Sequence, residues 1–210
     1  MKLLPSIASS NQLQIQSEID RIARWGHLHI DVEDGNFTPN ITFGMKTVSA
    51  ICEYAKNMII DVHLMTTDPC FWLEQLAEKP IHAVSAHIEA LPFPMQFINR
   101  AHELGMKAGL ALNIKSSGLE TEPFWNLADY LLVMTSEPDC AGEKLYRPAL
   151  DKAISLAWKL PSTIELYADG GLNFEALQEL CQAGAAGAVL GRLVFSSENP
   201  LQTLIDLSGY

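Results

Sequence analysis

At 210 residues, with 48% hydrophobic and 19% charged positions, the chain has the length and composition of one globular domain, spanning residues 1–210, and is too apolar to be disordered. Fourteen basic against 25 acidic residues give a net charge of −11, which argues against nucleic acid or an anionic membrane as a general partner, since both need a positive field. A small phosphorylated ligand stays open, because a local cluster of backbone N–H groups holds an anion inside an acidic protein.

No stretch approaches the roughly 18 apolar residues of a membrane helix. The opening MKLLPSIASS is broken by Pro5 and is too short for a signal-peptide core, so no membrane partner and a cytoplasmic protein are expected. Cys52, Cys70, Cys140 and Cys181 lie far apart with no CxxC pair, so free thiols are expected rather than a disulfide framework or a zinc-thiolate site.

Along the chain, short apolar, β-branched-rich runs alternate with longer helical patterns. Strands are expected at residues 3–8, 27–31, 58–63, 83–87, 107–113, 130–134, 164–169 and 186–190. Between them, Ser10 or Asn11 caps a helix over 12–25, and 43–55 carries Val48, Ile51 and Cys52 at helical spacing. Pro69 stands at a first helical position before Phe71, Trp72 and Leu76. Further helices are expected over 94–104, 149–160 and 174–183, the last with Asn173 as N-cap and Gly184 at its end. Residues 116–128 read as a loop with a short helix.

Strict alternation of strand and helix predicts a parallel sheet with helices outside. The strands are mostly apolar runs rather than clean alternations, as expected when both faces are buried. Eight units of about 26 residues argue for an α/β fold of the closed (β/α)8 kind. The rival, an open doubly wound sheet, has fewer strands and a glycine-rich first turn, whereas Pro5-Ser6-Ile7-Ala8-Ser9 has no glycine.

The polar residues gather at strand ends: Ser6; His29 and Asp31; Asp61 and His63; His87 and Glu89; Asn113; Asp169-Gly170-Gly171; Gly191-Arg192. In a parallel barrel these ends form one rim, where active sites are built. His29 and Asp31, spaced i, i+2, share one face of a strand. Taken alone such a pair is more often a surface feature, but His63 and Asp169 join it on the rim. Two imidazoles and two carboxylates suit one divalent ion, and ligand type alone does not choose among Zn²⁺, Fe²⁺, Mn²⁺ and Co²⁺. Asp61 reads as an orienting partner for an imidazole, His27 as a hydrogen-bonded core histidine, and His82 and His102 as peripheral. For the pair His87 and Glu89, substrate contact and a plain structural role both stay open. Asp169-Gly170-Gly171 and Gly191-Arg192 mark the side where this fold often holds phosphate, with Gly142 a candidate third edge.

At these residues the chain resembles, from end to end, the ribulose-phosphate 3-epimerase family. The segments that carry the resemblance are Pro5-Ser6-Ile7; His29-Ile30-Asp31-Val32-Glu33-Asp34-Gly35 continuing through Phe37, Pro39 and Asn40-Ile41-Thr42-Phe43-Gly44; Asp61-Val62-His63-Leu64-Met65; His87-Ile88-Glu89; Leu112-Asn113; Met134; Asp169-Gly170-Gly171; and Gly191. The resemblance implies a (β/α)8 barrel with His29, Asp31, His63 and Asp169 as metal ligands, and Asp31 and Asp169 also as the acid/base pair. It implies substrate contacts at Ser6, His63, Met65 and Met134, and a phosphate side at Gly142, Gly170, Gly171 and Gly191. Two carboxylates remove and return the proton beside a ketone, and a divalent ion stabilises the enediolate between them.

The chain departs from the family pattern at Glu33, where Met is usual, at Tyr167, where Glu is usual, and at Arg192, where a small Ser is usual. Its loop Glu137-Pro138-Asp139-Cys140-Ala141-Gly142 replaces Asn-Pro-Gly-Phe-Gly-Gly. These changes resemble a divergent, epimerase-like branch, and Arg192 is placed to pair with phosphate. The expectation is a metal-dependent isomerase that interconverts D-ribulose 5-phosphate and D-xylulose 5-phosphate. The alternatives are a 3-epimerase of a hexulose 6-phosphate such as D-allulose 6-phosphate, or a non-catalytic sugar-phosphate-binding barrel. A retired enzyme has no reason to keep both aspartates with both histidines, so the enzyme is the favoured class. Self-association into a homo-oligomer is also expected.

Overall fold

A computed structural model describes residues 1–138 and 145–209. The eight strands are β1 (Lys2–Pro5), β2 (His27–Glu33), β3 (Ile59–Met65), β4 (Ala83–His87), β5 (Lys107–Leu112), β6 (Tyr130–Met134), β7 (Glu165–Asp169) and β8 (Gly187–Leu190). All pair in parallel in the order β1-β8-β7-β6-β5-β4-β3-β2, and a parallel bridge between Ser6 and His29 brings β1 back to β2. The result is the expected (β/α)8 barrel, nearly closed, with the strands' C-terminal ends on one rim.

The outer layer comprises α1 (Ile15–Ile22), α2 (Met45–Tyr54), α3 (Pro69–Leu76), α4 (Pro94–Glu103), α5 (Arg147–Lys159), α6 (Phe174–Gln182), α7 (Arg192–Phe195) and α8 (Pro200–Ser208). Local chemistry sets several starts. Pro69, Pro94 and Pro200 stand in first turns, and the Asp68, Asn173 and Asn199 side chains accept from the backbone N–H groups of Phe71, Ala176 and Gln202. The stretch 12–25 is not one continuous α-helix: α1 is flanked by 3-10 turns at Gln12–Gln14 and Ala23–Trp25. Leu13, whose spacing suits an apolar helix face, is 96% exposed. α7 and α8 lie beyond the last element expected from the periodicity.

Two apolar layers form. Outward-facing Leu28, Ile30, Val32, Val62, Leu64, Leu131 and Val133 pack under the helices with Ile51, Leu73, Phe97 and Leu150. Burying each such side chain contributes roughly 1.5–3 kcal/mol. A smaller cluster of Leu4, Ala83, Ala111, Tyr130, Leu132 and Val189 plugs the barrel interior, with the Tyr167 ring against it. Above this plug the inward side turns polar. β2 and β3 are therefore not plain apolar runs: His27, His29, Asp31 and Glu33 alternate with Leu28, Ile30 and Val32, and Asp61 and His63 with Ile60, Val62 and Leu64. Here the hydrophobic face of the strand points away from the barrel axis, and the polar face lines it.

Candidate metal centre and active site

The register of β2 on β3 sets His29 beside Asp61 and Asp31 beside His63. Asp169 ends β7, which the two strands β1 and β8 separate from β2, and reaches the same point from across the rim. His29, Asp31, His63 and Asp169 each offer one ligand atom, all lying within 4.8 Å of one another, and all four residues are buried. His29 Nε2 is 3.1 Å and His63 Nδ1 3.2 Å from the same atom, Asp31 Oδ1, and His63 Nδ1 is 3.5 Å from Asp169 Oδ2. Two imidazole nitrogens and two carboxylate oxygens gathered this closely are a donor set that could hold one divalent cation.

Each imidazole is gripped at its other nitrogen. His29 Nδ1 meets Asp61 Oδ2, while Asp61 Oδ1 takes His27 Nε2 at 2.7 Å, so both carboxylate oxygens of Asp61 face β2. His63 Nε2 lies 2.9 Å from His87 Nε2, whose Nδ1 lies 3.3 Å from Glu89 Oε2. Ser6 Oγ donates to Asp31 Oδ2 at 2.5 Å. His27 is thus a partner of Asp61, His82 is exposed, and His102 pairs at the surface with Asp129 at 2.7 Å.

The two catalytic candidates are driven in opposite directions. Burial alone would raise the Asp31 carboxyl, but the His29 imidazole, by charge and hydrogen bond, and His63 beside it outweigh this and hold it far below the usual carboxylate range. Asp169 is pushed up, first by burial and then by the negative charge of Asp31. For His29 and His63, burial favours the neutral ring, and the surrounding carboxylates overcome it and raise both. His87 has no such excess of acid: burial depresses it to about 4, so it is neutral at pH 7.

A cavity of about 350 Å³ opens above the centre. Ser6, Asp31, Glu33, Met65, Met134, Asp169, Gly170, Gly171, Gly191 and Arg192 reach it, while His29 and His63 lie beneath its floor. Ser9 and Ser136 also line it. Neither carries a signal in the sequence, because Ser9 closes a 3-10 turn and Ser136 stands in a loop, and no periodicity gives either path. Gly170 and Gly171 have φ of 115° and 65°, and a Cβ on Gly170 would lie 2.8 Å from the Ser136 backbone nitrogen, so the two loops touch through bare backbone. Glu33 keeps its carboxylate at the cavity and accepts from Thr38 Oγ1 at 3.1 Å. Arg192, the first residue of α7, is exposed and has no carboxylate partner among the described residues. Gly142 lies outside the described residues. Cys52 and Cys70 are free thiols, and Cys140 lies outside the described residues too.

Fold and centre together define a (β/α)8 barrel with a two-histidine, two-aspartate site on the rim where such barrels do chemistry. The chain belongs to the ribulose-phosphate 3-epimerase family, whose profile matches residues 2–195. It is 33% identical to the ribulose-phosphate 3-epimerase of Schizosaccharomyces pombe, over 98% of this chain and 92% of that one. It is 30% identical to the Bacillus subtilis ribulose-phosphate 3-epimerase, over 100% and 99% respectively. Among solved structures, 3-hexulose-6-phosphate synthase from Salmonella typhimurium superposes with a TM-score of 0.76, covering 100% of this chain and 97% of that one. At 16% identity this is a likeness of fold.

Proposed function

We propose that the protein is a metal-dependent ketose-phosphate 3-epimerase that interconverts D-ribulose 5-phosphate and D-xylulose 5-phosphate. The observation that carries this reading is the convergence of His29, Asp31, His63 and Asp169 beneath one cavity, which the two carboxylates reach from different strands. Epimerisation beside a ketone needs one group ready to take the C3 proton and another ready to return a proton to the other face. Asp31 and Asp169 are those two groups, one taking the proton while the other returns one. In the reverse direction the roles exchange. Ser6 steadies the Asp31 anion through its hydroxyl.

His29, Asp31, His63 and Asp169 are the residues that hold the divalent ion, one of Zn²⁺, Fe²⁺, Mn²⁺ or Co²⁺. The ion supplies stabilisation of the negative charge that develops on the substrate's oxygens when the proton leaves. Met65 and Met134 give the cavity apolar walls. The backbone at Gly170, Gly171 and Gly191 and the Arg192 guanidinium receive the phosphate, at the loops after the seventh and eighth strands and beside a short extra helix.

A cytoplasmic setting belongs to the same reading. Among the described residues no helix is long and apolar enough to cross a membrane, and a relative from rice is named a cytoplasmic isoform. So does self-association: Phe71, Phe93 and Met95, at the starts of α3 and α4, are exposed apolar groups of the kind a protein contact covers.

The test is a panel of ketose phosphates incubated with the purified protein in D₂O and followed by NMR. Deuterium should enter at C3 of ribulose 5-phosphate while xylulose 5-phosphate accumulates. Exchange only with a hexulose 6-phosphate would move the substrate, and no exchange with any member would leave a binding protein.

A further inference from the structure

The proposed ion needs His63 to present a bare Nδ1, and the structure shows a device that enforces this. His63 Nδ1 faces the carboxylates, at 3.2 Å from Asp31 Oδ1 and 3.5 Å from Asp169 Oδ2. With a cation held between that nitrogen and the carboxylates, the single ring proton of His63 would sit on Nε2, which points at His87 Nε2 2.9 Å away. A nitrogen that receives a proton in a hydrogen bond carries none of its own, so the His87 proton belongs on Nδ1. That nitrogen faces Glu89 Oε2 at 3.3 Å. Glu89 is oriented in turn, because its Oε1 accepts from the Asn113 backbone N–H at 2.9 Å and from Ser116 Oγ. The rings of His63 and His87 stack at 4.9 Å between centroids, and Phe37 covers His87 at 4.7 Å, so both His63 and His87 are fully buried.

We infer that His87 and Glu89 are positioning residues for the metal centre: a directed chain, His63 to His87 to Glu89, fixes the ring proton of His63 away from the ion. This rests on the proposed metal centre but assigns a role to two residues outside the ligand set. The direction of the chain comes from its far end. A carboxylate at position 89 can only accept, so His87 Nδ1 must donate, His87 Nε2 must accept, and His63 Nε2 must donate. Asp61 plays the matching part for His29 by a single step. His63 instead has a second imidazole between it and the acid, so its tautomer is set at one remove.

Glu89→Gln tests the direction with almost no change of shape. To keep its bond from the Asn113 N–H, the new side chain turns its amide oxygen that way and presents its NH₂ to His87 Nδ1. His87 then accepts at Nδ1 and carries its proton on Nε2, which drives the His63 proton onto the ion-facing Nδ1. Cobalt(II) affinity, measured by competition with a chelator, should fall by more than tenfold, within the ~10- to 100-fold range for lost outer partners of metal ligands. In the metal-free protein, near pH 7 where His87 is neutral, the imidazole ¹⁵N spectrum should place the His87 proton on Nδ1 in the wild type and on Nε2 in Glu89→Gln. His87→Gln supplies an amide oxygen that accepts from His63 Nε2 without a tautomer to set, so it should retain affinity within about threefold.

If the pair only fills space, the order reverses, with the buried His87→Gln doing more damage than Glu89→Gln at the rim. Wild-type cobalt affinity in Glu89→Gln, or a wild-type His87 protonated on Nε2, overturns the proposal. Failure of the wild type to take up cobalt overturns the metal centre instead, and the nitrogen spectrum then judges the proton chain by itself.

Discussion

The β2–β3 wall of the barrel and the β6–β8 wall face each other across one cavity and are built on different principles. On the first, side chains do everything. His27, His29, Asp31, Asp61 and His63 form a hydrogen-bonded row in which each carboxylate oxygen that faces an imidazole is committed. On the second, small residues dominate: Gly170 and Gly171 adopt left-handed φ, Gly191 opens α7, and Ser136 and Ser9 touch the glycine backbones. The first wall suits a cation and proton transfer, and the second suits an anion held by backbone donors. Asp169 belongs to the second wall by chain position and to the first by contact, which is how one residue comes to close the centre.

The comparison breaks most severely at the two carboxylates. Asp31→Asn and Asp169→Asn each delete a proton carrier and alter a ligand, so kcat should drop at least about 10²-fold, the lower bound for a positioned general acid or base. Metal content measured on the same samples separates lost proton transfer from lost ion. A variant that kept its ion and more than a tenth of wild-type turnover would show that the proton carriers had been misassigned.

Next in size is the ion itself. Elemental analysis of protein purified without chelator should find close to one divalent ion per chain, and His63→Ala should lower that stoichiometry severalfold while leaving the fold intact. Stripping with a strong chelator should abolish turnover, and adding back Zn²⁺, Fe²⁺, Mn²⁺ or Co²⁺ should restore it for at least one ion. Full activity in a demonstrably metal-free sample would remove the cation from the first wall.

The second wall is probed at Arg192. With no acid beside it among the described residues and the cavity in front of it, its guanidinium offers a planar fork of donors to phosphate. Arg192→Ala should raise KM for the phosphorylated sugar more than tenfold, or at least about 1.4 kcal/mol, with metal content unchanged. An effect below a few-fold would match an exposed side chain pairing at the surface, worth roughly 0–1 kcal/mol, and would leave the phosphate to backbone donors alone.

The two walls are not equally legible in the sequence. Side-chain chemistry at i, i+2 spacing reads directly, and it alone puts His29 with Asp31, and Asp61 with His63, on common faces. The eight strands read to within a few residues, since short, β-branched-rich segments alternate with helical patterns. Contact between strands does not read. Whether His87 touches substrate or another side chain depends on register and tilt, which bring it to His63 rather than to the cavity. Backbone chemistry is still less visible. The family pattern marks Gly170, Gly171 and Gly191, but Ser136 and Ser9 give no signal because nothing in a loop's composition fixes its course. α8 escapes a reading by strand and helix period, although Asn199-Pro200 spells an N-cap and first turn.

The smallest expected effect sits at the seam between the walls. Ser6 ends the first strand, bridges to His29 where the barrel closes, and donates its hydroxyl to Asp31 Oδ2 at 2.5 Å. That bond favours the ionised carboxylate, so Ser6→Ala raises the Asp31 carboxyl from its depressed position. The sign follows from the acceptor role: a base that must be ionised loses activity as pH falls through its pKa, and raising that pKa moves the acid limb of kcat/KM to higher pH. At the alkaline side of the profile Asp31 is ionised in both proteins and the difference should shrink. At the optimum the loss should stay near or below tenfold, about 1.4 kcal/mol, the low end of what one hydrogen bond to a charged group contributes. A uniform loss at every pH would mean that Ser6 acts on the substrate rather than through Asp31, and an unchanged profile would make its hydroxyl a part of barrel closure only.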